Sequence, residues 1–439
     1  MILSDTQQTD GTGVTLDDLF RRAGVRRPDA LALIDPPNGE TITGSAPRRL
    51  TYAEADRAIS ALAVKLRGLS LQTDMVVAMQ LANTVESVIA LLGVLRAGMI
   101  AAPLPLLWRQ QEMVAALSRI GAKAIVTSSH IGATAQSTSF TEIAMQVAAE
   151  LFPIRHICGF GRDLPDGVVP LDDVFDSGAD EFFQPSARPG RAAAHVAAIT
   201  FDVTGDGLIP VARSQSELIA GGLNVFREAG IAENTTILST IPAASFAGIA
   251  LTMVPWLLAG GTLALHHGFD PAAFAEQSRA LEPCSVVLPG SALAPLADAG
   301  LLGVYVKNIL ALWRAPEQLA AAVPWQRDAV LVDIASFGET GLLPARRGSD
   351  GLPAPIPPDA LPRGGAGLIA VGGYRFRQRE VNAVVAGADP AAVIVALPDA
   401  HLGQRFAGST QDGAALAAKL QARGVNSLIA GAFRPRGSE

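Results

Sequence analysis

The sequence is poor in cysteine, lysine and charge, and each shortage excludes a class of protein. Only two of its 439 residues are cysteine, Cys158 and Cys284, and they form no Cys-x-x-Cys pair. This excludes a disulfide framework and a cysteine-rich zinc site. Charged residues make up 17% and hydrophobic residues 49%, so the chain can bury a large core. The formal net charge of −7 argues against nucleic acid or an anionic membrane surface as the main partner.

Lysine is scarce even among the basic residues. There are four lysines, Lys65, Lys123, Lys307 and Lys419, and the other basic residues are arginine. A biased coding composition accounts for such a ratio, but it matters for any reaction that requires lysine. The N-terminal segment 1–15 has no basic residue and no apolar core, so we do not expect a signal peptide. We expect a cytoplasmic protein.

One long apolar stretch has two interpretations, a membrane span or a buried helix. Residues from Asn234 to Leu265 carry no charge, and the middle of the stretch is nearly long enough to span a bilayer. Pro255, Gly260 and Gly261 interrupt it, and no basic flank follows. We therefore predict a helix buried in a large α/β domain and no membrane span.

Strand and helix patterns alternate along most of the chain, which indicates βαβ units and a parallel sheet. We predict strands at 30–34, 75–79, 101–105, 124–127, 197–201, 236–239, 262–265, 285–288 and 329–333. Residues 346–366 are rich in proline and glycine, which is typical of a linker. The predicted organisation is a large domain over 1–345, this linker, and a small, truncated α/β domain over 367–439.

Five ordered segments give the chain a family resemblance. They begin at Leu50 (LTYAEADR), Leu95 (LRAGMIAAPL), Pro255 (PWLLAGGTL), Gly372 (GGYRF, then EV) and Ala396 (ALPD, then GQ). Together they resemble the acyl-adenylate-forming enzymes, which include acyl-CoA synthetases. The resemblance implies the adenylate-forming-enzyme fold, with a large layered N-terminal α/β domain and a shortened small C-terminal α/β domain. In that family a carboxylate attacks ATP to give an acyl-adenylate, and a thiol then takes the acyl group.

The phosphate loop of the family corresponds to the segment after the strand at 197–201. The resemblance makes Thr204, Gly205 and Gly207 nucleotide-binding candidates, because a glycine-rich turn can present N–H groups to phosphates. No lysine follows them, and Asp202 and Asp206 would repel a triphosphate. An ordinary βα loop is the other interpretation, and the two acids favour it.

The family's aromatic-Gly-x-Thr-Glu segment corresponds to Phe337, Gly338 and Thr340, which the resemblance makes nucleotide-binding candidates. Gly341 stands where the metal-binding acid belongs, and Glu339 precedes the threonine instead. Thr340 and Glu339 are therefore the catalytic candidates. Glu339 is the candidate for contact with a metal, which it could reach only if the loop shifted.

Three further parts of the family's machinery have no match. The segment with the ribose-binding aspartate is shortened, Gly367 falls at the hinge acid, and no Gly-Lys pair precedes the C-terminus. Lys419 lies in an Ala- and Leu-rich helix, which is typical of a solvated surface.

The acyl and nucleotide pocket of the family corresponds to two segments. One contains Ser245, Phe246 and Gly248, and the other contains Trp313 and Arg314, which stand where the family has small residues. Trp313 either fills the pocket or packs at a helix end, and the sequence leaves both interpretations open.

Two functions follow from the resemblance. The first, which the lost motifs favour, is an acyl-CoA synthetase-like pseudoenzyme that acts as a ligand-binding or partner subunit. The second is an active ATP-dependent carboxylate–CoA ligase with atypical motifs, which would use ATP, AMP, Mg²⁺ and CoA. We expect an acyl or carboxylate small molecule and a homodimer or protein partner. An unrelated α/β hydrolase is a weaker alternative, because the sequence has no Gly-x-Ser-x-Gly elbow.

Overall fold

The computed structural model describes residues 13–132, 138–176, 183, 191–357, 367–399 and 402–433. The strands are, in chain order, β1 (Leu31–Ile34), β2 (Arg49–Thr51), β3 (Val76–Gln80), β4 (Ile100–Pro103), β5 (Ala124–Ser128), β6 (His130–Ile131), β7 (Thr138–Ser139), β8 (His156–Phe160), β9 (Val168–Pro170), β10 (Val196–Thr204), β11 (Gly207–Ser214), β12 (Thr236–Ser239), β13 (Leu263–Leu265), β14 (Cys284–Pro289), β15 (Val306–Trp313), β16 (Val330–Phe337), β17 (Gly341–Arg346), β18 (Leu368–Val371), β19 (Tyr374–Arg377), β20 (Val393–Asp399) and β21 (Gly403–Ser409).

The α-helices lie between these strands. They are α1 (Leu16–Arg26), α2 (Gly39–Thr43), α3 (Tyr52–Gly68), α4 (Val85–Arg96), α5 (Gln110–Leu117), α6 (Phe140–Glu150), α7 (Gln215–Ala229), α8 (Phe246–Gly248), α9 (Val254–Ala259), α10 (Pro271–Ala280), α11 (Leu293–Asp298), α12 (Gln378–Ala388), α13 (Gly413–Ala422) and α14 (Ser427–Gly431). A capping box at Thr51 begins α3: the Thr51 hydroxyl accepts from the Glu54 N–H at 3.2 Å, and the Glu54 carboxylate accepts from the Thr51 N–H at 2.8 Å.

Two mostly parallel sheets carry the large part of the chain. One has seven strands in the order β11-β10-β4-β3-β5-β8-β9, and the other has eight in the order β17-β16-β15-β14-β12-β13-β1-β2. Strands such as β3 and β5 are buried along their whole length, which explains their continuous apolar sequence. The predicted α/β class is confirmed, and the arrangement is that of the adenylate-forming-enzyme fold.

The uncharged stretch forms a broken helix in the core. A π-helical turn at Ile249–Met253 separates α8 from α9, and all of its residues are buried. The Trp256 indole and the Tyr52 hydroxyl both donate to the Gly261 carbonyl, at 3.0 and 2.7 Å. Within the described residues, no helix is long and apolar enough to cross a membrane.

Residues from β18 onward form a second, smaller core. Two antiparallel hairpins, β18–β19 and β20–β21, pack with α12, α13 and α14 around buried Val381, Leu420 and Phe433. This core is separate from those of the two large sheets.

Two local predictions were wrong. The segment after Phe201 is not a loop that leads to a helix, because β10 continues to Thr204 and pairs with β11 in an antiparallel hairpin. Trp313 does not lie at a helix end, because it is the last residue of β15. β10 continues because the β-branched Val203 and Thr204 follow Asp202, and the strand that ends at Trp313 was not predicted.

Candidate functional site

A cavity of about 700 Å³ lies between the small core and the two sheets. This volume is within the range of small-molecule sites. Several of its walls follow the carboxyl ends of parallel strands, such as Leu81 after β3, Thr240 after β12 and Arg314 after β15. This is the edge at which ligands bind in open α/β sheets. The small core closes the other side with residues from Gly373 to Val384 and from Gly424 to Ile429.

The phosphate-loop candidates are used within their own hairpin. Thr204 pairs with Gly207 across a two-residue turn that contains Gly205, and the Thr204 hydroxyl donates to the Gly207 carbonyl at 3.0 Å. The cavity wall includes Asp202, Val203 and Leu208 from this hairpin. The three candidates Thr204, Gly205 and Gly207 do not line the cavity. This segment is a closed hairpin and not the predicted flexible turn. The pairing of β10 with β11 uses backbone N–H and C=O groups that a flexible turn would present to phosphates.

Phe337, Gly338, Glu339 and Thr340 form the turn between β16 and β17. The Thr340 hydroxyl donates to the Phe337 carbonyl at 2.5 Å, so it serves the turn. Glu339 is 7% exposed, and its carboxylate accepts from the Phe246 N–H at 2.7 Å. Burial raises the pKa of this carboxyl group, and Arg314 partly opposes the shift. Gly338 and Glu339 line the cavity, so this turn forms part of its wall.

Asp202 connects the hairpin to both neighbouring parts of the wall. Its carboxylate lies against Gly338 and is 4.0 Å from the Arg375 guanidinium of β19. The backbone N–H groups of Glu339 and Val203 lie beside this carboxylate. Burial raises the pKa of Asp202, while Arg375 and these two N–H groups oppose the shift.

The pocket candidates divide into lining and supporting residues. Ser245 and Arg314 line the cavity, and the Arg314 guanidinium donates to the Ser245 hydroxyl at 3.0 Å. Phe246 lies behind them, with the Arg213 guanidinium 3.7 Å from its ring centre. Gly248 begins the buried helix and donates to the Ser245 hydroxyl at 3.0 Å.

Trp313 does not line the cavity. Its indole packs on Gly290, and Nε1 donates to the Asp333 carboxylate at 2.8 Å. The following residue, Arg314, points into the cavity instead, and its side chain lies against Gly373 of the small core. Alternation along a strand explains why only one of these two bulky neighbours reaches the site.

The sequence reasoning missed several residues of the wall. Arg375 and Arg377 both line the cavity from β19, and the Arg377 guanidinium forms an ion pair with Glu380. They lie in the GGYRFR segment, whose alternating arginines were the available signal. His267 also lines the cavity, and burial lowers its pKa to about 4, so it is neutral. Among the described residues, no group of His, Cys, Asp and Glu could hold a metal ion.

Part of the chain matches a known protein family. Residues 20–194 match the family profile "AMP-binding enzyme". Residues 20–194 therefore resemble an AMP-binding enzyme domain. A 2-hydroxy-7-methoxy-5-methyl-1-naphthoate–CoA ligase from Streptomyces carzinostaticus is 27% identical over 292 residues, which are 63% of this chain and 48% of that protein. The chain thus spans about half the length of the curated relative that it matches.

Solved structures with a similar fold are CoA-ligase-type enzymes. The acetoacetyl-CoA synthetase from Streptomyces lividans has a TM-score of 0.60 and 16% identity, over 76% of this chain and 54% of the other. A protein from Rhodopseudomonas palustris described as a long-chain-fatty-acid CoA ligase has a TM-score of 0.58 and 20% identity, over 75% of this chain and 78% of the other. Likeness at these identities concerns the fold.

Proposed function

We propose that this chain is an acyl-CoA synthetase-like protein that binds a carboxylate or acyl ligand and lacks efficient ATP-dependent activation. The observation that carries the proposal is the Asp202 carboxylate, which lies against the Gly338 turn where the family resemblance expects the phosphates. Two like charges a few ångströms apart in a poorly solvated site repel strongly. A triphosphate would therefore have to displace this side chain.

The surrounding groups support the same proposal. The Glu339 carboxylate points inward to the Phe246 N–H, so it is not directed towards a metal beside the phosphates. The described wall of the cavity contains arginines and no lysine. Arg314 occupies the position where the family has a small residue, and it lies against Gly373. Nothing in this arrangement of residues therefore calls for ATP, AMP, Mg²⁺ or CoA as a cofactor.

The ligand that we propose is amphipathic. Trp108, Phe201 and Val384 contribute apolar wall, while Arg314, Arg375 and Arg377 contribute cationic groups. A carboxylate or thioester with an apolar chain matches such a wall, because apolar surface supplies affinity and a few polar groups fix orientation. The relative that is 27% identical is named a 2-hydroxy-7-methoxy-5-methyl-1-naphthoate–CoA ligase, and such an acid combines an apolar ring system with a carboxylate.

A partner role forms the other part of the proposal. We propose that 1–345 and 367–439 are domains joined by a linker at 346–366, and that the protein works as a homodimer or with a partner protein. Light scattering of the purified chain tests this. A stable monomer that retains no partner in pull-downs from its native cells would remove the support for it.

One experiment tests the catalytic part. Pyrophosphate release is measured with ATP, Mg²⁺, CoA and a broad panel of carboxylic acids, and calorimetry measures the binding of ATP, AMP, CoA and each acid. We expect no release above background and binding of at least one acid without ATP. Turnover at ordinary enzyme rates, roughly 1–10 s⁻¹, would establish the atypical active ligase instead.

A further inference from the structure

We infer that the chain contains an anion-binding site that it fills with its own Asp202 carboxylate. The site consists of the backbone N–H groups of Val203 and Glu339 and the guanidinium of Arg375. The inference rests on the proposed function, since it gives a reason why the cavity does not take a nucleotide phosphate. It goes beyond that proposal because it states that the donors for an anion are still present.

Three separate elements bring these donors to one carboxylate. Asp202 and Val203 belong to β10, Glu339 belongs to the turn after β16, and Arg375 belongs to β19 of the small core. The Arg375 guanidinium is 4.0 Å from the Asp202 carboxylate, and both N–H groups lie beside that carboxylate and favour its charged form. Backbone N–H groups beside a guanidinium form the kind of concave donor set that binds small oxyanions.

Gly338 shows how closely the carboxylate fits. A Cβ atom at this position would lie 2.3 Å from one Asp202 oxygen and 2.7 Å from the other. The φ of Gly338 is +62°, a conformation that L side chains rarely adopt. The turn therefore requires glycine both for its backbone and for the approach of the carboxylate. A side chain this closely enclosed occupies the space that a bound anion would need.

The charges of the cavity lead to the same inference. The side chains of Arg375 and Asp202 are 20% and 14% exposed, so their attraction is only partly screened by water. Arg377 is paired with Glu380, whereas Arg314 is bonded to the neutral Ser245 hydroxyl. Removal of the Asp202 carboxylate would leave Arg375 and two N–H groups without their acceptor in a half-buried site. A small oxyanion, either a phosphate or a carboxylate, would satisfy them.

The test is a gain of anion binding. Asp202→Ala empties the site, and Asp206→Ala is the matched control, because it removes the same charge from the exposed turn of the same hairpin. Calorimetry measures the binding of inorganic phosphate, of pyrophosphate and of acetate to the full chain in separate titrations. The comparison distinguishes a site for phosphate from a site for carboxylate. We expect Asp202→Ala to bind at least one of these anions about tenfold more tightly than the unchanged chain. We expect no gain in Asp206→Ala.

Further variants keep the inference falsifiable. Arg375→Gln added to Asp202→Ala is expected to abolish the gain, and Asp202→Asn, which keeps the shape of the side chain, is expected to gain less than Asp202→Ala. Circular dichroism and a thermal melt verify the fold of each variant, and Asp202→Asn replaces Asp202→Ala in the comparison if the latter unfolds. No gain in a folded variant, an equal gain in Asp206→Ala, or a gain that persists without Arg375 would overturn the inference. The proposed function is judged separately, by pyrophosphate release from the unchanged chain.

Discussion

The indole Nε1 of Trp313 donates to the carboxylate of Asp333 at 2.8 Å, between the neighbouring strands β15 and β16. The same carboxylate accepts from Arg347 Nε at 2.7 Å and from its Nη2 at 3.2 Å. Arg347 also donates to the carbonyls of Val323 and Gly351. The start of the proline- and glycine-rich segment is therefore attached to the eight-stranded sheet.

The first prediction concerns this buried ion pair. Arg347 and Asp333 are 7% and 1% exposed, so loss of one partner leaves an uncompensated charge in the interior. We expect Arg347→Met to lower the free energy of unfolding by about 3–5 kcal/mol in urea titrations. Arg346→Met is the control, because Arg346 is the exposed neighbour of Arg347. This substitution should change the free energy of unfolding by less than about 0.5 kcal/mol. Equal effects of the two variants would contradict the role given to the pair.

The second prediction concerns Gly248, which the sequence suggested as a pocket residue. A Cβ atom there would lie 2.1 Å from the Pro242 carbonyl oxygen, which is backbone and cannot turn aside. We expect Gly248→Ala to destabilise the protein by on the order of 1–3 kcal/mol, because the start of the buried helix must shift. Gly387→Ala is the matched control. No atom lies within 4 Å of its added Cβ, so the change should stabilise α12 by about 0.5–1 kcal/mol.

Thermal and urea unfolding of both glycine variants decide that prediction. If Gly248→Ala is as stable as the unchanged chain, the close approach to Pro242 does not constrain the helix.

The third prediction concerns pH and the buried pair Asp35 and Glu86. The Asp35 carboxylate accepts from the Val85 N–H at 2.7 Å and the Arg48 N–H at 2.9 Å, and the Arg48 guanidinium contacts Glu86. Burial, followed by the charge of Glu86, raises the pKa of Asp35 to about 7. The folded state therefore keeps a proton that the unfolded chain releases near its ordinary pKa of 3.8.

Because the folded state binds more protons, the free energy of unfolding should fall as pH rises from about 4 to about 7, and level off above. The slope from one proton is at most about 1.4 kcal/mol per pH unit. We expect Asp35→Asn to flatten this part of the profile in urea titrations at several pH values. Asp29→Asn, at an exposed position, should leave the profile unchanged. A profile that Asp35→Asn does not alter would assign the pH dependence to other groups.

The sequence predicted the layers of the fold better than the site. Strands such as β3 and β12 were found because an uninterrupted apolar run between turn residues is typical of a buried parallel strand. The helix α3 has signals of the same local kind, because its apolar positions recur at three and four residues and a capping box begins it. These signals are local, so a single sequence is sufficient to detect them.

The site depends on contacts between distant segments, which local patterns do not contain. Asp202 and Arg375 are far apart in sequence, and nothing around either residue indicates that they meet. The segment after Phe201 was misjudged because glycines near a strand end suit both a loop and a hairpin turn. Trp313 and Arg314 were treated alike, although Trp313 ends β15 and packs on Gly290, whereas Arg314 follows the strand and lines the cavity.

The last prediction uses Trp108 as a reporter of the cavity. Of the four tryptophans, Trp108 lines the described wall, 5.5 Å from the ring centre of Phe201, whereas Trp325 lies outside it and donates to the Ala329 carbonyl. An apolar ligand that enters the cavity replaces water beside the indole of Trp108 and should change its emission. We expect octanoate, added without ATP, to change the tryptophan fluorescence in a saturable manner.

The variants locate the source of that change. Trp108→Phe should remove most of it, while Trp325→Phe should retain it, because only the first substitution removes an indole from the wall. Arg314→Ala should weaken octanoate binding about tenfold or more if its guanidinium holds the carboxylate, since a charged hydrogen bond contributes about 1.5–3 kcal/mol. Octanol has the same chain without the carboxylate, so it should bind equally to the unchanged protein and to Arg314→Ala. A fluorescence change that survives in Trp108→Phe would mean that the acid binds elsewhere on the protein.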